Sequence, residues 1–222
     1  MPKLLQKELE KLKKNILSLG AMVEERVNMA IRAIEYKDAG LAGKIIASDR
    51  EIDEREVEVE EECLKLLALH QPVAVDLRFI IAVIKINNDL ERIGDEAVNI
   101  AERIEYIASR PSVDVRFDYK VMGEKTKAMV NRSLDALVNL DLDLAHKVRL
   151  QDDEVDSINR SIFEEVRKAV LENPQRAGYL INLFSISRHL ERIADHATNI
   201  AEEVIYMIEG VIQRHPKVTK KE

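Results

Sequence analysis

Apolar residues near the start of the chain recur mostly in alternating steps of four and three: Leu5, Leu9, Leu12, Ile16, Leu19, Val23, Ala30 and Ile34. Steps of this size stack side chains along one face of an α-helix, so they predict a long amphipathic helix from Leu4 to Tyr36 with a coiled-coil-like seam. Lys37-Asp38-Ala39-Gly40 interrupts that pattern, and Asp38 is placed to cap the next helix. The second helix is carried by Leu41, Ile45, Ile52, Val59, Cys63 and Leu66 to about His70. Pro72 breaks it. A third helix is expected from roughly Asp76 to Ala108, ended by Ser109-Arg110-Pro111.

The pattern then repeats. At an offset of 103, Gly20 matches Gly123, Asn28 matches Asn131, Asp38 matches Asp141, and Asp49, Glu51 and Asp53 match Asp152, Glu154 and Asp156. By the third helix the offset has fallen to 100, so the second copy is three residues shorter near the turn holding Pro72 in one copy and Pro174 in the other. There, Leu90-Glu91-Arg92-Ile93-Gly94-Asp95-Glu96-Ala97-Val98-Asn99-Ile100-Ala101-Glu102 and residues 190–202 agree at ten of thirteen positions. The reading is all-α: a tandem duplication giving two antiparallel three-helix bundles of six long helices, each helix of about 30 residues spanning about 45 Å. Residues 1–110 would form the first bundle and 111–210 the second, with 211–222 a frayed tail.

Composition supports long helices: 34% of the 222 residues are charged, with seven Gly, five Pro and no Trp. A net charge of −7 without a basic, aromatic-interleaved patch argues against nucleic-acid binding. The six-residue apolar run Phe79–Ile84 is far short of a membrane span, and charge appears too early at the N-terminus for a secretory signal. With Cys63 as its one cysteine the chain forms no internal disulfide, so a cytoplasmic location is expected.

The duplicated apolar positions follow from helical packing, whereas the duplicated acids do not. Glu91 and Asp95 lie one turn apart, where like charges cost about 0.2–0.5 kcal/mol unless something neutralises them, and the arrangement recurs as Glu191 and Asp195. The second helix of each copy adds Asp49 and Asp53, or Asp152 and Asp156. Asp53 lies 18 residues before Gln71 and Glu91 19 residues after Pro72, so an antiparallel pair of helices puts them at similar heights. Each bundle could therefore gather four carboxylates, an oxygen-rich set that suits Mg, Ca, Mn or Fe better than zinc. A solvated acidic face, with Arg92 and Arg192 as ion-pair partners, is the competing reading. Asn99, Asn199 and His196 could support a ligand carboxylate from behind, although interhelical hydrogen bonding suits the amides better and His196 reads as a surface residue. His70, His146 and His189 have no counterpart and read as packing or solvent contacts. Arg78, opposite Gly178 in the second copy, could hold an anion or an acidic neighbour. No nucleotide loop, Glu-x-x-His pair or spaced catalytic triad occurs.

Gln71-Pro72-Val73-Ala74-Val75-Asp76-Leu77-Arg78, then Asp89-Leu90-Glu91-Arg92-Ile93-Gly94-Asp95, and later residues 189–202 together resemble the PhoU family of bacterial phosphate-signalling regulators. The resemblance spans Leu4 to about Gly210, duplication included. It implies a non-enzymatic, cytoplasmic negative regulator acting between the ATPase subunit of the phosphate ABC transporter and a phosphate-sensing histidine kinase. It also implies metal, often iron, on the acidic motifs, without choosing here among Fe, Mn, Mg, Zn and Ca. A homodimer is left open. The rival readings are a metal-dependent enzyme built on the clustered carboxylates and a structural helical spacer.

Overall fold

The computed structural model describes residues 3–111 and 117–211; the tail expected to fray lies outside them from residue 212 onward. The helices are α1 (Lys3–Tyr36), α2 (Ala39–Ala47), α3 (Asp49–His70), α4 (Ala74–Ala108), α5 (Tyr119–Asn139), α6 (Leu142–Glu172) and α7 (Ala177–Glu209), with a 3₁₀ turn at Pro174–Arg176. The duplicated caps are in place: Asp38 Oδ1 accepts from Leu41 N and Asp141 Oδ1 from Leu144 N, each at 2.9 Å. The residues just before them, Lys37 and Leu140, both take the left-handed conformation that ends a helix, at φ 49° and 50°.

The second helix of the first copy is divided where a continuous one was expected. Ser48 leaves helical geometry, its hydroxyl donates to Lys44 O at 2.6 Å, and α3 starts at Asp49. Arg26, only 6% exposed, donates to Ile45 O at 2.8 Å and to Ser48 O at 3.1 Å, which satisfies carbonyls freed by the break. The matching residues of the second copy are Met129 and Gln151, which offer neither interaction, and α6 runs unbroken.

Within the first half α1 packs on α2, α3 and α4; within the second α5 packs on α6 and α7. The halves meet through α4 against α7, the most extensive helix pairing in the molecule, and through α1 against α5. Buried residues from every helix form one continuous apolar cluster. Both joints carry a two-fold relation. On α4 and α7, Asp89 meets His196 and Glu96 meets His189, so the helices are antiparallel and each contact maps onto the other when the copies are exchanged. On α1 and α5, a Cβ at Gly20 would lie 2.8 Å from Leu134 Cδ2, and one at Gly123 would lie 3.1 Å from Ile31 Cγ2. Gly20 and Ile31 are the counterparts of Gly123 and Leu134, so each copy's glycine receives the other copy's aliphatic side chain.

Filling that notch overpacks the joint. Gly20→Val is expected to destabilise the fold by about 1–3 kcal/mol, and adding Leu134→Ala should recover part of the loss. Denaturant unfolding of the two single variants and the double variant measures this; independent effects would contradict the contact.

Candidate functional site

The acidic site is positioned by a close approach of α3 to α4. A Cβ on Gly94 would stand 3.2 Å from Ile52 Cδ1 and 3.3 Å from Ile52 Cγ2, so the absent side chain lets α3 lie against the α4 backbone. The second half solves the same packing with Ala194 and Val155 at the matching positions, adding a methyl on one helix and removing one from the other. The approach sets Asp49 and Asp53 of α3 beside Asp95 of α4, with one carboxylate oxygen from each within 4.8 Å of the others. Because of the break at Ser48, Asp49 sits in the first turn of α3, where the helix dipole favours negative charge.

Electrostatics places the remaining expected acids. Burial, then the charge of Asp95, raises the pKa of Glu91, and Asp53 also acts on it, so Glu91 borders the trio on the side expected. Burial followed by repulsion from Asp53 raises Asp95; burial, then Asp53 and Asp95, raises Asp49. In the second half, burial and the charges of Asp195 and Asp156 push Asp152 up to about 6. Asp195 and Glu191 are also raised, in each case by burial first, with Asp156 among the repelling charges. In each half these acids repel one another across the two helices that carry them. Among the described residues only Asp49, Asp53 and Asp95 converge to within 4.8 Å. All donors of this trio are carboxylate oxygens, a set that fits a hard cation and would be relieved of mutual repulsion by one.

Asn99, Asn199 and His196 do not buttress these acids by hydrogen bonds. Asn99 Nδ2 donates to Glu96 Oε2 at 3.4 Å, Asn199 Nδ2 donates to Asp89 Oδ1 at 3.1 Å, and His196 Nδ1 lies 2.9 Å from Asp89 Oδ1. His196 and His189 are half-buried partners of acids across the α4–α7 joint rather than simple surface or packing residues. Glu96 is the residue that sequence reasoning passed over. It is 2% exposed, with His189 Nδ1 at 2.6 Å and Arg192 Nη1 at 3.0 Å. Burial would raise its pKa, but the His189 hydrogen bond and the charges of His189 and Arg192 outweigh it and hold the carboxyl below its ordinary value. The signal was present: positions 89 and 96 are acidic where 189 and 196 are histidine, amid otherwise matching sequence. The Arg78 guanidinium lies over Gly210 at the end of α7.

Two measurements test this geometry. Introducing the second half's pairing, Gly94→Ala with Ile52→Val, is expected to be more stable than the sum of the single changes by about 1 kcal/mol in a double-mutant cycle. Asp152 is more easily protonated folded than unfolded, so its contribution to stability is present below about pH 4 and is lost as the pH rises through about 6. In chelator-treated protein, Asp152→Asn should therefore raise the melting temperature over the parent at pH 7 and lose that advantage at pH 4. An equal effect at both pH values would contradict the raised pKa.

Comparison with known proteins accounts for the duplicated architecture. The family model described as "PhoU domain" matches residues 16–104 and again 119–204. The chain is 40% identical to the phosphate-specific transport system accessory protein PhoU homolog of Aquifex aeolicus, with 97% of each chain covered. It is 38% identical to the correspondingly named homolog of Clostridium acetobutylicum, covering 94% of this chain and 95% of the relative. Its fold superposes on the crystal structure of PhoU from Pseudomonas aeruginosa with a TM-score of 0.90 at 38% identity, covering 93% of this chain and 99% of that one. For the phosphate transport system regulatory protein PhoU from Streptococcus pneumoniae the TM-score is 0.84 at 28% identity, covering 94% and 98%. With two domain matches, near-complete coverage and one shared fold, the chain belongs to the PhoU family.

Proposed function

We propose that this protein is an accessory regulator of a phosphate ABC transporter, working on the cytoplasmic side as an adaptor between the transporter's ATPase subunit and a phosphate-sensing histidine kinase. Its relatives of matching length are named as accessory or regulatory proteins of phosphate transport, and that likeness along nearly the whole chain carries the reading. Among the described residues no helix is long and apolar enough to cross a membrane. In this reading a cation at Asp49, Asp53 and Asp95, bordered by Glu91, stiffens the α3–α4 joint, and Asp152, Asp156, Glu191 and Asp195 hold a second. Partners then meet a scaffold whose helix spacing the cations fix. The same oxygen-rich acids serve binding, and the proposal assigns none of them a catalytic step.

In a strain lacking the protein, phosphate uptake and alkaline phosphatase expression should stay high when phosphate is plentiful, and the intact gene should restore repression. Unchanged regulation would refute the adaptor role. Separately, Asp53→Asn with Asp95→Asn should lower metal content per chain, measured on protein purified without chelator, while circular dichroism stays helical. Metal content equal to that of the parent would remove the first cation from the proposal.

A further inference from the structure

The two-fold relation between the copies makes their ends comparable, and the ends have diverged. At one end, Arg78 near the start of α4 fills the space over Gly210, its Cζ 3.6 Å from where a Cβ would stand. At the other end the partners are exchanged: the counterpart of Arg78 is Gly178, and that of Gly210 is Arg110. Arg110 lies over the Tyr106 ring, with Cζ 4.0 Å from its centroid, and the Tyr106 hydroxyl stands 3.1 Å from where a Cβ on Gly178 would be, so the glycine makes room for that hydroxyl. The result is a cavity of about 110 Å³ between the end of α4 and the start of α7.

Its lining is cationic and rich in donors. Arg110 and Arg176, both exposed, border it, and no ion pair to either is found among the described residues. Gln175 and Tyr106 add an amide and a hydroxyl. Tyr179 is 5% exposed; its hydroxyl accepts from Lys37 Nζ at 3.3 Å, while its own hydrogen finds no acceptor among the described residues. The start of α7 opens beside them without a side-chain cap or an acid in its first turn. The matching positions at the opposite end are Val75, Asp76 and Phe79, which line an apolar groove with Leu9, Ile16 and Leu137. One scaffold thus carries an apolar lining at one end and, at the other, two arginines without an acidic partner among the described residues.

We propose that this cavity binds a small tetrahedral oxyanion, either inorganic phosphate or the phosphoryl group of a monoester. Two guanidinium groups provide paired N–H donors matched to such an anion. The depression is open to solvent, bordered by the exposed Arg110, Gln175 and Arg176, and has room for a phosphoryl group between them. The site lies apart from the acids assigned to cations and is measured without metal, so it stands or falls independently of the metal reading.

The test is calorimetric titration of the full chain with inorganic phosphate in the presence of EDTA, comparing the parent with Arg110→Gln and Arg176→Gln. The parent should bind saturably, at millimolar concentration or below. Each glutamine variant should weaken binding about tenfold, about 1.4 kcal/mol. Phosphate should also raise the melting temperature of the parent but not of the arginine variants, whose phosphate-free melts report whether they fold. Tighter binding of phosphoserine than of inorganic phosphate identifies a monoester as the ligand; the reverse order identifies the free ion. Absence of saturable binding, or binding unchanged in both arginine variants, overturns the proposal.

Discussion

The joint between α4 and α7 is the constraint on which the rest depends. Two long helices cross antiparallel with their leucine and isoleucine faces buried, and two acid–histidine contacts, Glu96 with His189 and Asp89 with His196, fix their register. Burial of Glu96 alone would be unfavourable, since a carboxylate taken from water without partners is costly. His189, Arg192 and Asn99 supply those partners, and the carboxyl titrates below its usual range as a result. A slip of one helical turn would separate both pairs at once. That register determines where α3 and α6 hang from the central pair, and hence where the acids gather.

The same joint explains why two copies in one chain are not interchangeable. If both halves carried the first copy's residues, Asp89 would oppose Glu96 twice; with the second copy's residues, histidine would oppose histidine. Unlike residues at these two positions turn a symmetric crossing into a complementary one. The symmetry survives in the backbone and the apolar core, where Gly20 and Gly123 serve both halves alike, and is broken where charge must be matched.

Much of the architecture was legible in the sequence because helical periodicity and the duplicated capping aspartates are local signals. The neighbouring heights of Asp53 and Glu91 followed from counting residues on either side of Pro72, which antiparallel helices make a valid measure. The break at Ser48 was not legible, since it depends on Arg26, more than twenty residues away, accepting the task of bonding the freed carbonyls. The roles of His189, His196 and Asn199 were hidden for a related reason. Their partners lie across a joint between the two copies, and nothing in one copy's periodicity states how it meets the other. Asp49, Asp53 and Asp95 converge to within 4.8 Å, while among the described residues no matching trio is found in the second half. Spacing alone does not encode that difference.

The discontinuity at Ser48 divides mechanical allegiance as well as helical geometry. Arg26 ties the end of α2 to α1, whereas Ile52 seats α3 against α4. A change in repulsion among the three aspartates therefore pushes on α3 without a rigid lever to drag α2 along. In the second half α6 is one unbroken rod, so a force applied at Asp152 travels its full length. Of two arms descended from one design, the first yields locally and the second transmits.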